Sequence, residues 1–277
     1  MIRTLLVAAV LYGAPANAAD RILSIGGSVT EIVFALGAED RLVARDTTSS
    51  FPDGAEALPD VGYMRALSPE GVLSVAPTLI LAEEGAGPPE TIEVLESASI
   101  PIVFVSDDPS AEGIAAKVTT IGDALGLVDK AAALNAKIKA SLDAATARAR
   151  VAAGDQPKRV LFILSTQGGR ILASGTNTAA NAIIGLAGGI NAVDAFEGYK
   201  PLTDEAVVAA APDVILMMDR GGDHGAATDE LIAMPAIATT PAASTRSVVR
   251  MDGLFLLGFG PRTANAVSDL SRALYGG

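Results

Sequence analysis

The sequence predicts an α/β protein of two lobes, each with a central, mainly parallel sheet flanked by helices, joined by one long helix. Three observations carry this expectation. The stretch Leu67-Ser68-Pro69-Glu70-Gly71-Val72-Leu73-Ser74-Val75-Ala76-Pro77-Thr78-Leu79-Ile80-Leu81 returns 135 residues later, starting at Leu202, with seven of fifteen positions identical. Strand-like apolar runs alternate with helix-like segments on both sides of the chain's midpoint, the pattern of a parallel sheet. Between the two repeats, residues 129–153 contain neither Gly nor Pro, and Leu134, Ile138 and Leu142 recur every four residues as an apolar stripe. At 1.5 Å per residue such a helix runs ~37 Å, enough to join two small domains.

The elements follow in order. Residues 21–25 read as a strand, Gly26-Gly27 as a turn, and Ser28 as the cap of a helix that ends at Gly37. Residues 42–44 form a second strand, and residues 46–65, rich in Thr, Ser, Pro and Gly, a loop. The first repeat supplies a helix capped by Ser68 and stopped at Pro77, then a buried strand over 78–82. Residues 89–98 are expected as helix, 102–105 as strand, and 111–153 as helix broken near Gly126. The second half restarts with strands at 159–164 and 170–173 around Gly168-Gly169, and a helix over 179–186. The second repeat follows, with Thr203 as cap and Pro212 as stop. A helix near 229–233, a strand around 247–251, a glycine-rich apolar stretch at 253–261 and a helix from Arg262 to Tyr275 complete the chain.

Composition narrows the function. The 277 residues are half apolar, enough for two cores, and carry a net charge of −12. That charge argues against non-specific binding to nucleic acid or anionic lipid. There is no cysteine and only His224, so thiolate and multi-histidine metal sites are excluded. Arg3, an apolar run over residues 5–11 and Ala16-Asn17-Ala18 have the pattern of a cleavable export signal. The expected organisation is a signal peptide at 1–18, an N-terminal lobe at 19–110, a helical connector at 111–153 and a C-terminal lobe at 154–277. No cysteine follows the cleavage site, so the mature chain is expected free in the periplasm.

No set of residues suggests catalysis. A Ser-His-Asp arrangement would have to use His224, and no Gly-x-Ser-x-Gly elbow precedes a helix. Gly26-Gly27-Ser28 lacks the lysine and spacing of a phosphate loop. Tyr63 is the more informative residue. A phenolate is a hard oxygen donor suited to ferric iron, Gly62 permits close approach, and Arg65 or Arg220 can supply the cation that favours an ionised phenol. Glu70 and Glu205 occupy equivalent places in the repeats, where an acid interacts well with a helix N-terminus. Tyr199-Lys200 precedes the second repeat and is placed to approach the cleft from the opposite lobe.

Pro59-Asp60-Val61-Gly62-Tyr63-Met64-Arg65-Ala66-Leu67-Ser68-Pro69-Glu70-Gly71 resembles the haem-ligand segment of the periplasmic haem-binding proteins of bacterial ABC importers, the HmuT type. Residues 24–31, 82–89, 202–205 and 256–263 match the same family in order. The resemblance implies the class III periplasmic binding protein fold and a monomeric, non-enzymatic carrier of ferric haem b as transported ligand. It implies Tyr63 as the axial iron ligand and Arg65 and Arg220 as partners of the phenolate or the propionates. Met64, Phe255 and Phe259 are candidates for the apolar walls. Glu70 and Glu205 match the glutamates by which related proteins dock on an inner-membrane ABC permease. The alternatives are a cobalamin or ferric-siderophore carrier of the same fold and, from another class, a periplasmic enzyme on a two-lobed scaffold. His224 is open between an iron ligand and a loop histidine.

Overall fold

The computed structural model describes residues 21–219 and 228–276; the expected signal peptide at 1–18, and Arg220 and His224, lie outside them. The first lobe opens with β1 (Ile22–Ile25), α1 (Gly27–Ala35), β2 (Leu42–Arg45), α2 (Asp53–Glu56), α3 (Pro69–Ser74), β3 (Leu79–Glu83), α4 (Pro89–Ser97) and β4 (Ile102–Val105). Its sheet has the order β2-β1-β3-β4 and every pair is parallel. All four strands therefore end on one side, at Ile25, Arg45, Glu83 and Val105.

Two helices follow, α5 (Ala111–Leu125) and α6 (Val128–Ala153), separated by Gly126 in the left-handed conformation. The amine of Lys130, near the start of α6, donates to the Leu36 carbonyl in the first lobe (2.9 Å). Near its other end, the Ala149 carbonyl lies where a side chain at Gly188 would stand. The 26-residue helix thus reaches from one lobe to the other, burying Ile138 and Leu142 along the stripe seen in the sequence.

The second lobe comprises β5 (Arg159–Ser165), β6 (Ile171–Ser174), α7 (Ala179–Leu186), β7 (Ile190–Asn191), β8 (Tyr199–Leu202), α8 (Asp204–Ala210), β9 (Val214–Asp219), α9 (Thr228–Ala233), α10 (Pro235–Ala238), α11 (Pro241–Thr245), β10 (Val248–Asp252), α12 (Gly253–Leu257) and α13 (Thr263–Tyr275). Its sheet runs β10-β9-β5-β6-β8, with β7 also on β5. The β10-β9-β5-β7 part is parallel, whereas β6 is antiparallel to both β5 and β8. A turn as short as Gln167–Gly169 can only return the chain antiparallel, since a parallel crossover needs a dozen or more residues.

A single apolar cluster runs through both lobes, from Ile22 and Ile32 through Ile121 and Ile138 to Phe162 and Val267. Separate clusters fill the far face of each sheet. Lobes that share a continuous core, and are packed on one stiff helix, are constrained to small relative motions.

Several local expectations are corrected. Gly26, not Ser28, is the N-cap of α1, with φ +108. The glycine is needed because a side chain there would fall within 2.9 Å of the Glu83 Cβ and because L-residues resist that φ. The loop at 46–65 contains α2, and the glycine-rich stretch at 253–261 begins with α12, capped by Asp252 through the Phe255 amide (2.7 Å). The caps of the repeat hold as expected: Ser68 accepts from the Gly71 amide (3.0 Å) and Thr203 from the Ala206 amide (3.2 Å).

Candidate ligand-binding site

Strands of open α/β sheets offer ligands the crevice beyond their carboxyl ends. In the first lobe that rim is a loop held by its own backbone. Asp60 pairs with Arg45 (3.2 Å) and accepts from the Gly62 amide (2.8 Å), and the Gly62 carbonyl accepts from the Thr47 amide (3.0 Å). The Met64 carbonyl accepts from the Gly87 amide (2.8 Å), while the Leu67 amide donates to the Gly87 carbonyl (2.9 Å). Gly62 has φ +103, which turns the chain so that the next side chain projects outwards. Tyr63 is 48% exposed on this fixed loop, and its hydroxyl bonds to no described residue. Arg65 is exposed two positions on.

Of the other two described tyrosines, Tyr275 donates its hydroxyl to the Gly188 carbonyl (2.6 Å) and accepts from the Lys158 amide (3.1 Å), so it is structural. Tyr199, at the start of β8, is 37% exposed. Burial pushes its phenol above the usual tyrosine range, partly offset by the Thr178 side chain, the Ala180 amide and the charge of Arg65. The charge of Arg65, in the first lobe, thus reaches Tyr199 in the second.

Below them lies a dense polar floor. The Lys117 amine, only 1% exposed, donates to Glu83 (2.6 Å), to Ser28 Oγ (2.8 Å) and, across the lobes, to the Gly258 carbonyl (3.4 Å). Ser28 is therefore a member of this cluster rather than a cap. Beside it Arg262, which precedes α13, lies 3.1 Å from Glu31 of α1. Its guanidinium stacks on Phe51 at 3.5 Å and stands 5.2 Å from the Phe255 ring centre. A side chain at Gly27 would stand 2.5 Å from Leu254, so the two lobes are in direct contact there. Sequence reading missed this floor. The legible signal was Lys117 itself, standing with Ile114, Val118 and Ile121 on the apolar stripe of α5.

Burial raises the Glu31 carboxyl above its ordinary value of 4.5, with Arg262 opposing, and one of its oxygens has no hydrogen-bond partner among the described residues. A carboxyl raised on folding stabilises fully below 4.5, and that contribution is lost as pH rises through the folded value. Thermal melts from pH 4 upwards should therefore show the wild type losing stability relative to Glu31→Gln as pH rises above about 4.5. A pH-independent difference between the two would contradict this account of Glu31.

The sequence-predicted residues divide. Tyr63 and Arg65 share the first rim, and Phe255 is half-buried beside Arg262 on the floor. Met64 and Phe259 are not wall residues as placed. Met64 is 8% exposed and packs in the first lobe's core, because it points to the opposite side of the loop from Tyr63. Phe259, 3% exposed, belongs to the core shared by the lobes. Glu70 and Glu205 are exposed in the first turns of α3 and α8, and the helix's own amide and the Thr203 hydroxyl hold the Glu205 carboxyl below the usual range. Among the described residues no three His, Cys, Asp or Glu side chains converge as a metal site, and no helix is long and apolar enough to cross a membrane.

Two lobes that share a core and are joined by one long helix, with the Tyr63 loop at the strand ends of the first, have the architecture of a two-lobed ligand-binding protein. Residues 22–253 match the family described as periplasmic binding protein, and the chain belongs to that family. Its fold is similar to the periplasmic heme-binding protein BhuT in complex with two hemes, at 44% identity and a TM-score of 0.88, covering 92% of this chain and 98% of that one. The periplasmic heme-binding protein RhuT from Roseiflexus sp. RS-1 in apo form is similar at 39% identity, with the same TM-score and coverage. Among curated relatives, the vitamin B12-binding protein of Yersinia pestis (strain Pestoides F) is 30% identical over 204 residues, 73% of this chain and 71% of the relative. The family and these relatives are binding proteins of extracytoplasmic transport rather than enzymes.

Proposed function

We propose that this chain is a periplasmic receptor that binds ferric haem b between its lobes and delivers it to an inner-membrane ABC permease. The observation that carries this reading is Tyr63: an exposed phenol with no described partner, on a loop fixed by backbone hydrogen bonds, beside an arginine. A porphyrin fills four positions of its iron, so one protein oxygen suffices as ligand, and no multi-residue metal site is required. Arg65 and Arg220 serve the phenolate or the propionates, and Phe255 gives the floor an apolar surface. The proposed organisation keeps the export signal at 1–18, lobes at 19–110 and 154–277, and the connector at 111–153, with the mature chain a monomer. The vitamin B12-binding relatives support cobalamin as the second reading, at 30% identity against 44% and 39% for BhuT and RhuT.

Haemin titrated into the purified mature protein should give saturable binding with a high-spin tyrosinate spectrum. Cobalamin binding without haemin binding would replace the proposal with the second reading.

Delivery uses the outer faces of α3 and α8. Glu70 with Leu73, and Glu205 with Val208, are exposed pairs one helical turn apart at the same offset in the repeat. Each lobe thus presents a carboxylate and an apolar contact to one half of a two-fold permease. In vesicles containing the cognate permease, Glu70→Ala/Glu205→Ala should lower haem uptake at least tenfold while haem affinity in solution changes less than about twofold. Unchanged uptake would remove these residues from docking.

A further inference from the structure

The two rims are internal copies of one another. Gly62-Tyr63 and Gly198-Tyr199 both put a glycine of positive φ, +103 and +78, directly before a tyrosine. Each glycine follows an isolated parallel bridge, Arg45 with Asp60 in the first lobe and Thr176 with Glu197 in the second. Each tyrosine is followed within two residues by a cation, Arg65 or Lys200, and then by a capped helix of the repeat. Neither glycine is required for space, since a side chain at either meets nothing within 4 Å. The shared requirement is the backbone turn that projects the following ring.

The copies differ in how the ring is set. Neither phenol oxygen has a hydrogen bond among the described residues, but Tyr63 is 48% exposed and Tyr199 37%. The Tyr199 ring is also braced edge-on against the buried Phe162, with centroids 6.3 Å apart at 62°. A ring that is braced and still 37% exposed is a rigid aromatic surface. We propose that Tyr199 is a positioning residue of the second lobe, packing its ring on the flat macrocycle that Tyr63 holds by the metal. The inference rests on the haem reading of the site and assigns a ligand class, planar aromatic tetrapyrroles, to the second rim.

The test titrates haemin and metal-free protoporphyrin into the wild type, Tyr199→Phe, Tyr199→Ala and Tyr63→Phe, recording affinities, the tyrosinate absorption band and apoprotein melting. Tyr199→Phe should bind both ligands within about twofold of wild type with the band unchanged, because the ring remains. Tyr199→Ala should weaken both by roughly tenfold, with the tyrosinate band intact in the haemin complex. Tyr63→Phe should lose the band and weaken haemin far more than protoporphyrin. Should Tyr199→Ala not fold, Tyr199→Leu keeps apolar volume without a ring and should show the same loss. Wild-type affinity in the variant lacking the ring, or an altered band in Tyr199→Phe, would overturn the inference while leaving the haem reading in place. Absence of haemin binding by the wild type would overturn both.

Discussion

Tyr63→Phe should lower ferric-haem affinity on the order of 100-fold, equivalent to ~2.7 kcal/mol, and abolish the tyrosinate absorption band. The substitution removes one oxygen from a half-exposed ring whose hydroxyl bonds to no described residue, so the fold loses nothing by it. The apoprotein should therefore melt within about 1 °C of wild type, since surface changes away from buried features are nearly neutral. Equilibrium titration and differential scanning measurements together check this. A large drop in melting temperature would mean that the loop uses Tyr63 structurally, and unchanged affinity would mean that the iron is held elsewhere.

The largest effect on stability is expected at the floor. Glu83→Ala leaves the amine of Lys117, 1% exposed, with only the Ser28 hydroxyl and the distant Gly258 carbonyl. Stranding a buried charge costs about 3–5 kcal/mol, which for a protein of this size lowers the melting temperature by roughly 10 °C. Replacing both charges, as in Glu83→Leu/Lys117→Met, should recover most of that loss, because a buried ion pair is worth little more than well-packed apolar groups of similar volume. If the single variant melts like wild type, the pair is not the stabilising contact between α5 and the end of β3. The same variants should report on lobe coupling, as the Lys117 amine also reaches across to Gly258.

Much of this architecture was legible in the chain. The repeat exposed the two lobes because its caps, Ser68 and Thr203, and its stops, Pro77 and Pro212, act through local chemistry that needs no tertiary information. The connector was legible for the same reason, as an uninterrupted apolar stripe. The edge strand Tyr199–Leu202 was not, since a four-residue strand containing Pro201 has little periodicity and is defined by pairing with β6. Helix α12 escaped because Gly253 and Gly258 mask a five-residue helix made stable by the Asp252 cap and by packing on α7 and α13. The exposed loop that carries Tyr63 and Arg65 could be read from its Pro, Gly and Asp content. Met64 could not be assigned a side, because burial within a loop depends on backbone turns that no period encodes. The interlobe pair Glu31 and Arg262 joins residues distant in sequence, and only the folded chain brings them to 3.1 Å.

The central claim is a bond between one phenol oxygen and a porphyrin iron in the space between the lobes. A crystal structure of the protein with haemin measures it directly. The account predicts the macrocycle between the two rims, its iron bonded to Tyr63 Oη, with Arg65 beside the phenolate or a propionate. Haemin bound outside the interlobe space, or held there with the Tyr63 ring turned away from the iron, would contradict it.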